Sequence, residues 1–260
     1  MKLSKQIVLA VSLSSLSYGA SAVEKNSGLV NFAAVEGYMC NYREDQGRQD
    51  LDKVIAKWND WMNSNNSAPY SAWILTPMFA STNTPADFVW LGAWQNGKEM
   101  GASLQTWAEK GGDLMAEFDE VMDCMEHSNF ASLNLQPPVK GWPGKTGIVS
   151  FANCTVAEDG TVEEAVEAHQ TLAQNRFSQG SKSGAWAFFP GSGHNNPDWH
   201  YKVVTSYGDL NEWGAAWERY TNGQGWLAAR ELTAGVVSCD SPRVYQSATV
   251  RDGGVNPAGQ

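Results

Sequence analysis

The chain has 260 residues, 42% hydrophobic and 11% aromatic with twelve Trp, and carries a formal net charge of −10. Such a surplus of carboxylates repels nucleic acid and anionic lipid surfaces, and no basic stripe offsets it, so neither partner is expected. Beyond the N-terminus no run reaches the roughly 18 apolar residues of a spanning helix.

In chain order, residues 1–22 read as a signal peptide. Lys2 and Lys5 form a positive start, residues 7–16 an apolar stretch, and Ala20-Ser21-Ala22 a small-x-small cleavage pattern. The expected location is periplasmic or secreted. Loss of the two lysines takes the net charge from −10 to −12.

Residues 30–42 read as a strand. Residues 48–63 follow as a helix, with Leu51, Val54, Ile55, Trp58 and Met62 at helical spacing. Short apolar runs at 70–78 and 87–94 read as strands around a Ser/Thr/Asn/Pro turn. Residues 98–109 and 113–125 are helical, broken at Gly111-Gly112, and 129–135 closes the unit as a strand. The same order then returns. Strand 147–156 leads to helix 161–178, which opens on a Thr161-x-x-Glu164 capping box. A hairpin of 184–190 and 199–207 follows, then helices 209–221 and 225–234, then strand 243–251.

The recurrence extends to residues. Cys40-Asn41-Tyr42-Arg43-Glu44-Asp45-Gln46-Gly47 returns as Cys154-Thr155-Val156-Ala157-Glu158-Asp159-Gly160, and the segment around Trp73 returns around Trp186 about 113 residues later. A repeat of this length is a small domain, not a solenoid unit. The expected domains are 23–136 and 137–260. Four Cys in an exported chain allow three pairings, and the repeat selects Cys40–Cys124 and Cys154–Cys239, spans of 84 and 85 residues.

A strand–helix–strand–strand–helix–strand unit is the ferredoxin-like motif, whose last strand lies antiparallel beside its first. That topology brings together the ends that the two disulfides would join. The fold class expected is α+β, with tandem ferredoxin-like βαββαβ repeats. Residues 88–94, Phe-Val-Trp-Leu-Gly-Ala-Trp, are apolar on both faces, as in a sheet covered on both sides. The arrangement resembles the dimeric α+β barrel superfamily, which includes antibiotic-biosynthesis-monooxygenase-like, EthD-like and NIPSNAP-like domains. The resemblance implies an intramolecular version of the barrel, a monomer with an internal pseudo-dimer. Haem-handling members usually place a His on the second helix, and none occurs in 98–125 or 209–234. No cofactor is therefore expected.

Candidate site residues come from aromatics and from differences between the copies. Trp73 and Trp186 match in second strands, and Trp94 matches Tyr207. They either fill a core or line a pocket for a small apolar or aromatic ligand. Glu44-Asp45 and Glu158-Asp159, each with a Gly close behind, read as turns rather than cation sites. One face of the third strand bears Val89, Leu91 and Ala93 in copy one but His200, Lys202, Val204 and Ser206 in copy two, and His169 stands where copy one has Ile55. His169, His200, Lys202, Trp186 and Tyr207 are the expected ligand-binding residues. His194, Asp198 and His200 across a hairpin are too loosely spaced for a metal site, and none is expected. The reading is an exported small-molecule-binding or accessory protein. Its alternative is a cofactor-independent monooxygenase or isomerase with His200 or His169 as proton acceptor.

Overall fold

The computed structural model describes residues 32–65, 68–81, 86–141, 144–194 and 197–255; the expected signal peptide at 1–22 lies outside them. The first half runs β1 (Ala33–Tyr42), α1 (Arg48–Asn65), β2 (Ser71–Phe79), β3 (Phe88–Trp94), α2 (Gly97–Lys110), α3 (Gly112–Val121) and β4 (Met122–Gln136). The second runs β5 (Thr146–Val156), α4 (Val162–Ser178), β6 (Gly184–Pro190), β7 (Tyr201–Tyr207), α5 (Leu210–Thr221), α6 (Gly225–Thr233), β8 (Val237–Cys239) and β9 (Arg243–Arg251). Among the described residues no helix is long and apolar enough to cross a membrane.

The strands pair in the order β4-β1-β3-β2 in the first half and β9-β5-β7-β6 in the second. Pairings β4–β6 and β2–β9 join the halves, so eight antiparallel strands close a ring, with β8 beside β5 in line with β9. The protein is an α+β barrel. The register gives equivalent positions in the two halves: Cys40 pairs with Phe88 and Cys154 with Tyr201, while Trp73 pairs with Leu91 and Trp186 with Val204. Both expected disulfides are present, Cys40–Cys124 and Cys154–Cys239.

Strand alternation divides the core into a lumen and an outer layer. Val35, Leu75, Leu91, Phe130, Val149, Trp186, Phe188 and Tyr245 pack inside the barrel. The alternate residues face the helices. On the first half, α1 buries Leu51, Val54, Ile55, Trp58 and Met62 against the sheet, each worth about 1.5–3 kcal/mol when fully buried. On the second half, α4 buries Ala165, Ala168, His169 and Ala173. Alanines let α4 lie close to Ala185 and Ala187 of β6, whereas the bulk of Trp58 and Met62 holds α1 off its sheet. Space therefore opens on the first half.

Thr161 and Glu164 form the expected capping box. The segment after Cys40 is a turn, with Asp45 at φ 61°. The helix expected to reach 125 instead ends at Val121, and residues 122–128 belong to β4, because Met122, Asp123 and Cys124 pair with Tyr42, Asn41 and Cys40. The disulfide holds that register, and a helix there would put Cys124 out of reach. Strand β8 was not anticipated; Asp240-Ser241-Pro242 separates it from β9, and proline has no N–H for a continuous ladder.

Candidate functional site

The five residues singled out from the sequence fall in different compartments. Lys202 points into the lumen, where its Nζ donates to Asn153 Oδ1 at 2.7 Å and lies 4.0 Å from the centroid of the Trp199 ring. Burial, with Arg243 nearby, holds its pKa down to about 8. Trp186 also faces the lumen, but at a cavity towards the opposite mouth, with no partner for its Nε1 among the described residues. Tyr207 faces outward, packed with Ile148 and Val244 under Trp213 of α5. His200 is exposed, its Nδ1 accepting from the Val156 N–H at 2.9 Å. His169 is buried beneath α4, its Nδ1 3.1 Å from Ala165 O and 2.9 Å from the Tyr201 hydroxyl, and burial lowers its pKa to about 4. These five residues form no single site.

His194 and His200 likewise turn to different partners, since His194 Nε2 lies on Asn129 O. Among the described residues, Cys154, His169 and Cys239 are the one group close enough to share a metal ion. The two sulfurs are joined to each other, so neither is a thiolate ligand.

A better-formed site lies on the outer face of the first half. Glu36 and Tyr38 of β1 point towards the helices, as do Trp90 and Trp94 of β3. Gly92 lies between those two tryptophans, and a methyl group there would overlap the Tyr70 ring, so its bare backbone lets Tyr70 lie over the strand. Trp58 and Met62 of α1, Leu104 and Trp107 of α2, and Phe118 of α3 complete the walls of a cavity of about 360 Å³.

A hydrogen-bonded chain ends in this cavity. Trp90 Nε1 donates to the Tyr70 hydroxyl at 2.9 Å, and that hydroxyl donates to Glu36 Oε1 at 2.7 Å. His127 Nε2 lies 3.0 Å from Glu36 Oε2, and its ring stacks on Tyr38 at a centroid distance of 3.7 Å. Glu36 is only 5% exposed. A carboxylate so buried is costly unless hydrogen-bonded, and here two side chains meet it. Burial and the nearby Glu36 hold both the Tyr38 and Tyr70 phenols well above the usual range, so both stay protonated. Trp94, also on the wall, has a buried Nε1 without a partner among the described residues. The arrangement can seat a flat apolar molecule and take a proton from it.

Sequence reasoning missed this site. Its available signal was a lone Glu36 in an otherwise apolar strand. By register its counterpart is Ser150, and Tyr38 and Trp90 correspond to Ala152 and Val203.

No protein-family model and no curated protein sequence matches the chain. Solved structures do. A candidate monooxygenase from Fusobacterium nucleatum subsp. nucleatum is 6% identical with a TM-score of 0.55, over 86% of this chain and 94% of that one. An anthrone oxidase-like protein is 12% identical at 0.51, over 88% and 97%. A candidate chlorite dismutase is 10% identical at 0.51, over 86% and 96%. These likenesses agree with the closed antiparallel ring and its outer helices and show the fold alone, an α+β barrel.

Proposed function

We propose that this chain is an enzyme of the monooxygenase or isomerase kind acting on a small planar aromatic substrate in the outer cavity of the first half, without a cofactor. The observation that carries the reading is Glu36, a buried carboxylate held by Tyr70 and His127 at the edge of a tryptophan-walled cavity. A general base needs to be within hydrogen-bond reach of the proton it removes, and Glu36 lines the space a substrate would fill. For a substrate with a methylene between aryl groups, Glu36 takes the proton. The resulting carbanion reduces dioxygen, and the balance is CH₂ + O₂ → C=O + H₂O. In an isomerase the same proton returns at another carbon.

Haem, which the chlorite dismutase likeness brings to mind, does not suit these residues. Among the described residues α2 and α3 carry no His, and the nearest imidazole, His127, has Nε2 directed at Glu36 and a ring face covered by Tyr38.

The purely accessory, ligand-holding reading accounts less well for a buried carboxylate among apolar walls. An experiment separates the two. Anthrone supplied with air should be oxidised to its quinone with matching oxygen uptake, and Glu36→Gln should lower kcat by about 100-fold or more while changing anthrone affinity only a few-fold. Binding without turnover in the native protein would favour the accessory reading. An unchanged rate in Glu36→Gln would remove Glu36 as base.

We also infer that the halves, 23–136 and 137–260, are tandem ferredoxin-like copies and that the protein works in the periplasm or outside the cell. Matching registers and a disulfide within each half support the duplication. The signal-like residues 1–22 and the same disulfides support export.

A further inference from the structure

The lumen holds a second chemistry, built on the wall opposite in character to the first. At one mouth is a cavity of about 500 Å³. Its second-half wall carries Asn153, Lys202 and Arg243. By register these correspond to Met39, Val89 and Ser128, which line the same cavity from the first half. Two cations and an amide thus stand on the second-half wall at positions whose three first-half counterparts are uncharged.

The cations converge. Asn153 Oδ1 accepts from Lys202 Nζ at 2.7 Å and from Arg243 at 3.0 Å. Arg243 also pairs with Asp240. Lys202 appears in no ion pair among the described residues, and its contacts are the neutral Asn153 and the face of Trp199. An ammonium has three donors and loses hydration on burial, so a neutral amide and a ring face leave it under-compensated. Glu126 and His194 also line the cavity, 3.9 Å apart, and neither forms an ion pair with Lys202. Much of the remaining lining is apolar: Val89, Leu91 and Phe130 from the first half, and Phe188, the cross-strand neighbour of Lys202 on β6.

We propose that this end of the lumen is a second binding site, for an aromatic carboxylate whose anionic group pairs with Lys202 and Arg243 while its ring packs against Phe130 and Phe188. The site is separate from the Glu36 cavity, because the two lie on opposite faces of the sheet. A carboxylate matches the geometry: it can accept from the free Lys202 protons and from Arg243 together.

The test uses 2-naphthoate and the neutral 2-naphthalenemethanol, with calorimetry on the full mature protein at low salt. Naphthoate is expected to bind at least tenfold more tightly than the alcohol. Lys202→Met should erase that preference while leaving affinity for the alcohol within about twofold, and Val89→Trp, on the uncharged wall, should block both compounds. Trp107→Ala, in the outer cavity, should leave naphthoate binding unchanged. Equal affinity for acid and alcohol overturns the proposal, as does full naphthoate binding in Val89→Trp or loss of binding in Trp107→Ala. Should Lys202→Met fail to fold, Lys202→Arg serves in its place: retention of the preference for the acid supports the proposal, and its loss overturns it. None of these outcomes depends on whether Glu36 acts as a base.

Discussion

His169 offers the sharpest quantitative check on the packing of the second half. Burial lowers its pKa from 6.5 to about 4, so it is neutral in the fold at pH 7. The unfolded chain takes up its proton as pH falls through 6.5, while the folded chain does so only near 4. Between those values the unfolded state binds more protons, so stability falls with pH, and the full difference corresponds to about 3 kcal/mol. At pH 7 the group adds no such cost. The informative variant is the double substitution His169→Ile with Tyr201→Phe, which installs the residues of the first half, Ile55 and Phe88, both buried in its core. The single change His169→Ile would leave the buried Tyr201 hydroxyl without its partner, at a cost of about 1–3 kcal/mol, and would confuse the reading. Urea unfolding at pH 7, 6, 5 and 4 should show the native protein losing about 3 kcal/mol more than the double variant across the range. Parallel pH profiles would refute the claim that His169 is buried neutral.

Three further outcomes follow from the same geometry. Gly92→Ala should push the Tyr70 ring off β3, lowering stability by about 1–3 kcal/mol and abolishing anthrone binding; unaltered binding in a calorimetric titration would contradict the cavity described. Replacing Cys40 and Cys124 together by Ala should cost roughly 4–5 kcal/mol for a loop of 84 residues, read as a lower urea midpoint. Naphthoate affinity should hold steady up to about pH 8, where Lys202 loses its proton, and fall above it; the charged groups facing that lysine are Arg243, Asp240 and Glu126, with the imidazole of His194 in the same lining, and affinity that rises above pH 8 would exclude Lys202 as the anion's partner.

The repeated Cys40 and Cys154 segments and the helical spacing of Leu51 to Met62 made the element order and disulfides legible, because each is a local pattern or a direct echo. The inner-face difference at Lys202 was also visible, since period two needs only a strand and its register. The Glu36 cavity was not. Glu36, Tyr70, Trp90 and His127 come from β1, the approach to β2, β3 and β4, and meet only through the pairing of β1 with both β3 and β4. His127 fell between an expected helix and an expected strand, so its orientation had no basis until the disulfide-held start of β4 was known. Alternation alone groups His200 with Lys202, but His200 precedes β7 and turns to the Val156 N–H instead.

Strand alternation also explains how one barrel can hold a buried carboxylate and a half-buried ammonium without the two neutralising each other. In β1, Glu36 and Tyr38 face outward while Gly37 and Met39 face the lumen. In the second half the counterparts of Glu36 and Tyr38 are Ser150 and Ala152, while the lumen positions become Phe151 and Asn153. Glu36 thus has an uncharged counterpart, Ser150, in the second half, and Asn153 and Lys202 have uncharged counterparts, Met39 and Val89, in the first. Had Glu36 and Lys202 shared a face, an ion pair would have formed and left neither group for a ligand. Separated by the sheet, the carboxylate keeps a lone pair for a proton and the ammonium keeps donors for an anion. The same separation requires that Glu36→Gln leave naphthoate affinity unchanged and that Lys202→Met leave anthrone turnover unchanged, and a coupled loss in either variant would mean that the two cavities are one site.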